Sequence, residues 1–137
     1  MNEKKRVLIL CTGNSCRSIM AEALINAKLG EHVKAQSSGV KASGVVNPNA
    51  QTLLESRGLW RDEYHSKVIE TLIDEEFDLV VTVCDHAKET CPVFPKVVKT
   101  IHVGFDDPSG KAVPEYAITL DLIEKELLPV IVKEFLL

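Results

Sequence analysis

Val7-Leu8-Ile9-Leu10-Cys11-Thr12-Gly13-Asn14-Ser15-Cys16-Arg17-Ser18-Ile19-Met20-Ala21-Glu22-Ala23-Leu24 reads as a strand, a loop and the opening of a helix. Val7 to Leu10 is continuous, apolar and bounded by polar residues, the pattern of a short buried strand. Ile19, Met20, Ala23, Leu24 and Ala27 recur at helical spacing until Gly30 supplies a stop. Five residues separate Cys11 from Arg17 in the loop between. A loop that turns a strand into a helix aims backbone N–H groups at one point, and the helix N-terminus adds positive potential there. That is a cradle for a tetrahedral oxyanion. Gly13 and Asn14 are residue types that tolerate a tight turn at positive φ. Arg17 offers a planar fork for two oxyanion oxygens. The same field favours a Cys11 thiolate, to which Ser18 would add a hydrogen bond, so nucleophile and anion receptacle coincide.

Outward from this stretch, a second short strand is expected over Val33–Ser37. Asn47-Pro48 forms an N-cap and first-turn proline for a helix running to Gly58. A shorter helix is expected over Val68–Asp74. Asp78 to Val83 is β-branched and apolar on both faces, as a central parallel strand is. Residues 85–98 are polar and proline-punctuated and read as loop. Thr100–Val103 is a fourth strand, and Tyr116–Leu128 a closing helix that Pro129 kinks or restarts, since an interior proline costs roughly 3 kcal/mol. Strands alternating with helices give a doubly wound α/β domain with a parallel sheet, whose ligands bind at the carboxyl ends of the strands. Cys11, Cys84 and Asp106-Asp107 all follow strand ends, so residues distant in sequence share one edge of the sheet.

The chain has 137 residues, 45% of them hydrophobic and 26% charged, which fits a single domain over residues 1–137. A net charge of -4 gives no electrostatic footprint for nucleic acid or anionic membranes. The apolar run after the charged N-terminus is too short for a signal peptide or a membrane span, which makes the cytoplasm the expected location. No interface signature repeats, so a monomer is the default. The four cysteines, Cys11, Cys16, Cys84 and Cys91, are in a reducing compartment catalytic, metal-binding or simply buried. Cys16 reads as a small packed side chain within the loop. Cys84 and Cys91 are spaced more widely than the usual zinc pair, and with His86 and His102 they leave metal binding or two unrelated thiols as alternatives. Asp107 before Pro108 fits a turn as well as an active site.

Taken together, Cys11 to Ser18 with Met20-Ala21-Glu22, Asn47-Pro48, Leu79 to Cys84, Cys91-Pro92 and Gly104-Phe105-Asp106-Asp107-Pro108 resemble the thioredoxin-coupled arsenate reductases, relatives of the low-molecular-weight tyrosine phosphatases. The pieces occur in the family's order over nearly the whole chain. The resemblance implies a three-layer sandwich with a four-stranded parallel sheet. It implies that Cys11 attacks arsenate while Thr12, Gly13, Asn14, Ser15, Cys16, Arg17 and Ser18 hold the oxyanion, and that Asp107 protonates the departing oxygen. Cys84 would then attack Cys11 and release arsenite, and Cys91 would take over the oxidation as a Cys84–Cys91 disulfide that thioredoxin reduces. No bound cofactor or metal is implied. Some family members bind potassium through side chains matching Asn14, Glu22 and Ser37. The fourth such position, normally an aspartate, falls on Lys67, which cannot ligate a cation, so potassium dependence is not expected. Two other functions remain open: a tyrosine phosphatase, against which Cys84, Cys91 and the Ser109-Gly110 pair argue, and a non-catalytic arsenic sensor.

Overall fold

The computed structural model describes residues 4–85 and 94–137. Of the residues singled out above, Cys91 and His86 lie outside them. Strand β1 (Lys5–Cys11) pairs on one side with β2 (Val33–Gly39) and on the other with β3 (Leu79–Thr82), which pairs with β4 (Thr100–His102). The order is β2-β1-β3-β4 and all pairings are parallel. The central position of β1 explains its composition: Val7, Leu8, Ile9 and Leu10 are each fully buried. Side chains alternate across a strand. Val7, Ile9 and Cys11 accordingly join one core cluster, and Leu8 and Leu10 the other.

The first cluster lies under α1 (Arg17–Lys28), α2 (Pro48–Ser56), α3 (Val113–Glu126) and α4 (Leu128–Phe135). The opposite face is covered, among the described residues, by Ile69, Leu72, Phe77 and Phe94, the two phenylalanines meeting edge to face. From β1 the chain moves outward to β2, then returns to β3 on the other side of β1. The topological switch point, where open α/β sheets bind ligands, is therefore between β1 and β3. Cys11 ends the one strand and Cys84 follows the other.

Two helices differ from the sequence reading. The helix expected over Val68–Asp74 is a single 3-10 turn, Ile69–Leu72. Thr71 Oγ1 donates to the Val68 carbonyl at 2.7 Å, a local bond that competes with helix propagation. The closing helix begins at Val113 rather than Tyr116, because Pro114 occupies its first turn, where a missing N–H costs nothing. Pro129 sits likewise in the first turn of α4, so the helix restarts there, one of the two outcomes expected of it. The expected cap at α2 is present: Asn47 Oδ1 accepts from the Asn49 and Ala50 amides at 2.9 and 3.3 Å. No helix of the described residues is long and apolar enough to cross a membrane.

The helical layer provides a stability test. Leu120 on α3 is fully buried, whereas Ile118 on the same helix is 55% exposed. Leu120→Ala should cost about 2–5 kcal/mol in urea unfolding, and Ile118→Ala under about 0.5 kcal/mol. Equal costs would contradict the assigned helix face.

Candidate active site

The loop after β1 is held from outside by its carbonyls. The Thr12 carbonyl accepts from the Lys41 amide at 3.0 Å, that of Gly13 from the Ser43 amide at 2.9 Å, and that of Ser15 from the Asn47 amide at 2.8 Å. Ser66 Oγ adds a second bond to the Gly13 carbonyl at 3.2 Å. A trans peptide points its N–H opposite to its C=O. Turning these carbonyls outward therefore turns the amides of Gly13, Asn14 and Cys16 the other way, toward the mouth of α1. Asn14 alone in the loop adopts positive φ, at 46°. Gly13, also expected there, does not; a Cβ on it would meet nothing nearer than Ser15 Oγ at 3.6 Å. The indispensable glycine is Gly39 at the end of β2, where a Cβ would fall 2.4 Å from the Thr12 carbonyl oxygen.

Arg17 opens α1 and is 4% exposed. Its Nη1 donates to the Phe105 carbonyl at 3.0 Å, and its Nη2 lies 3.7 Å from Asp107 Oδ2. The other Asp107 oxygen, Oδ1, accepts from the Ser109 amide at 2.9 Å. Asp107 thus caps its own turn through one oxygen and faces the guanidinium with the other. Its side chain is 47% exposed, which leaves it open to whatever enters the site.

Cys11 and Cys16 are free thiols, and both are buried. Burial, reinforced by the Asp107 carboxylate, pushes the Cys16 thiol up to about 12. Cys16 therefore stays protonated and contributes its main chain to the loop, not a second nucleophile. Cys84 is fully buried and disulfide-bonded. Leu10 pairs with Thr82 across the switch point, so Cys11 and Cys84 emerge from adjacent strands at the same edge.

Residues 6–134 match the family described as low molecular weight phosphotyrosine protein phosphatase. The chain belongs to this family. An arsenate reductase of Brevibacillus brevis is 45% identical over 123 residues, covering 90% of this chain and 91% of the relative. The crystal structure of an arsenate reductase from Archaeoglobus fulgidus superposes with a TM-score of 0.80 at 32% identity, over 90% of this chain and 97% of that one. A low molecular weight protein tyrosine phosphatase from T. tengcongensis superposes with a TM-score of 0.78 at 26% identity, over 95% and 99%.

Within this family scaffold, the loop is braced from below by polar groups that are fully or nearly buried. Asn14 Nδ2 donates to Ser18 Oγ at 2.8 Å and to Ser37 Oγ at 2.9 Å, and Ser37 Oγ donates to Glu22 Oε1 at 2.6 Å. Asn14 Oδ1 accepts from the Lys67 amide at 2.8 Å. Lys67 Nζ donates to the His65 carbonyl at 3.3 Å. Among the described residues, no group of three or more His, Cys, Asp or Glu could hold a metal ion. Sequence reasoning did not single out Gly39, the Lys41 and Ser43 amides or the Phe105 carbonyl. Only Phe105 carried a signal, through its place beside Asp106-Asp107.

Burial pushes the Glu22 carboxyl up to about 7, against the pull of the Lys67 ammonium and the Ser37 hydroxyl. An acid whose native pKa is raised contributes nothing below the unfolded value, about 4.3, and costs stability progressively as pH climbs through 7. Glu22→Gln keeps an acceptor for Ser37 without the charge. Its melting temperature relative to wild type should rise between pH 4 and pH 8; a difference independent of pH would contradict this burial cost.

Proposed function

We propose that this chain reduces arsenate to arsenite through three cysteines and is recharged by thioredoxin. One observation carries the reading: a free Cys11 in an oxyanion cradle stands at the strand end next to a disulfide-bonded Cys84. Hydrolysis of a phosphoester needs no second reactive sulfur. The arsenate reductases among its relatives support the substrate.

In this reading arsenate enters between the inward amides and Arg17, and Cys11 attacks arsenic. Asp107 gives a proton to the departing oxygen, which leaves as water. Two electrons must then reach arsenic, and two thiols becoming one disulfide supply them. Cys84 attacks the Cys11 sulfur, the sulfur–arsenic bond breaks, and its electron pair leaves with arsenite. Cys91 attacks Cys84 in turn and frees Cys11. A free Cys11 beside an oxidised Cys84 is the state in which such a cycle awaits its reductant.

The same Cys11, Arg17 and Asp107 suffice for slow hydrolysis of an aryl phosphate, consistent with membership of a phosphatase family. Cys84→Ser and Cys91→Ser should each abolish arsenate-dependent NADPH oxidation in the presence of thioredoxin and its reductase, while aryl phosphate hydrolysis survives. Arsenate reduction that persists in either variant would contradict the three-cysteine relay.

The proposed cycle uses no metal or bound cofactor, and the sequence resemblance sets Lys67 at the position where potassium-binding members of the family carry an aspartate. Turnover should be equal in sodium and potassium salts at matched ionic strength. Strong activation by potassium would refute the role given to Lys67.

A further inference from the structure

The segment that carries Asp107 is fastened at both ends. At its start, the Phe105 amide donates to the Val83 carbonyl at 3.1 Å, and the Phe105 carbonyl accepts from Arg17 at 3.0 Å. At its end, the Lys111 carbonyl accepts from Asn49 Nδ2 at 3.2 Å. Two tight turns lie between. Asp107 Oδ1 accepts from the Ser109 amide at 2.9 Å, and the Pro108 carbonyl accepts from the Lys111 amide at 3.0 Å. Gly110 holds the third position of the second turn at φ 85°, a conformation that favours glycine. The turns overlap, so a shift at Lys111 passes back to the Asp107 carboxyl. Asn49 itself belongs to the first turn of α2, where Asn47 Oδ1 accepts from its amide at 2.9 Å. The Asn47 amide in turn holds the Ser15 carbonyl of the anion loop at 2.8 Å. One end of one helix therefore grips the cradle on one side and the Asp107 segment on the other.

We propose that Asn49 is a positioning residue for the acid step, its side-chain amide setting the Asp107 carboxyl at the right distance from the anion cradle. The assignment rests on the reading of Asp107 as proton donor and adds to it the residue that places that donor. A general acid must stand within about 2.6–3.2 Å of the oxygen it protonates, and a misplacement of about 1 Å can cost on the order of 10²-fold. The Asp107 side chain is 47% exposed, and Arg17 Nη2 faces it at 3.7 Å, beyond hydrogen-bond length. Its place is thus set largely by the main chain on which it sits, and Asn49 fixes the end of that main chain. With a phosphate ester the step balances as follows. The Cys11 sulfur bonds to phosphorus, the bond from phosphorus to the ester oxygen breaks, and the Asp107 proton passes to that oxygen. The alcohol leaves neutral and Asp107 is left as carboxylate. Asn49 takes no part in the bonds made or broken.

The leaving group reads the proton donor. Values of kcat/KM, which report the breaking of the ester bond, are measured for phenyl phosphate and p-nitrophenyl phosphate in wild type, Asn49→Ala, Asp107→Asn and the double variant. Inhibition by inorganic phosphate measures the cradle. Phenolate, a base as strong as the tyrosine side chain at about 10, needs the proton, whereas nitrophenolate departs readily without it. Alanine is the best helix former, so α2 survives the substitution. In Asn49→Ala, kcat/KM for phenyl phosphate should fall about three- to tenfold, as expected for one neutral hydrogen bond. The loss on p-nitrophenyl phosphate should stay under about twofold, with phosphate inhibition unchanged. In the Asp107→Asn background the same substitution should have no further effect. Equal losses on both esters, no loss on either, weaker inhibition by phosphate, or an undiminished effect without Asp107 would overturn the assignment. Asp107→Asn separates the two levels. If it slows both esters equally, or if the wild type hydrolyses neither, the acid role of Asp107 falls and the assignment with it. If it slows phenyl phosphate selectively and Asn49→Ala does not, only the placement by Asn49 falls.

Discussion

Three carbonyls turned away from a pocket hold this site together. The Lys41, Ser43 and Asn47 amides fasten the outer side of the loop after β1, and planar peptide geometry turns the inner amides toward α1 as a consequence. The donors come from the segment between β2 and α2, so the sheet order matters directly. Because β2 lies beside β1, the chain leaving β2 passes close over the loop, and Gly39 permits that approach. A cradle built this way offers its amides to an anion locally, in a chain whose net charge of -4 lends no attraction from the global field.

Arg17 links this loop to the opposite side of the switch point. Its guanidinium is buried, and two of its contacts, the Phe105 carbonyl and Asp107, belong to the segment after β4. An ion pair with a half-exposed carboxylate contributes little to stability, on the order of 1 kcal/mol or less. Its consequence is geometric: the group proposed to grip the anion and the group proposed to protonate a leaving oxygen stand 3.7 Å apart. Cys84 enters the same edge from β3, between these two.

What the sequence discloses is what local physics dictates. A fully apolar β1, the Asn47-Pro48 cap and the Cys11-to-Arg17 spacing each carry their own structural reason, and each stands where it was expected. Boundaries failed where a local competitor intervened: the Thr71 hydroxyl reduced a helix to one 3-10 turn, and Pro114 drew the start of α3 forward. Most of what secures the site was not legible, because it consists of main-chain groups brought together by the sheet. The Lys41 and Ser43 amides have no side-chain signature at all. Thr82 and His102 become partners only through the register of β3 with β4, which no spacing along the chain reveals. Gly13 was credited with a strain that belongs to Asn14, since both residue types permit it and the backbone uses one.

In the proposed cycle an oxidation received at Cys11 moves through Cys84 to Cys91. Peptide mass mapping of the fully reduced chain, after a single equivalent of arsenate and with no reductant present, reads that transfer directly. The account predicts a disulfide joining residues 84 and 91, with Cys11 and Cys16 recovered as thiols and arsenite released in equal amount. Release of arsenite without that link, or four thiols left unchanged, would contradict it.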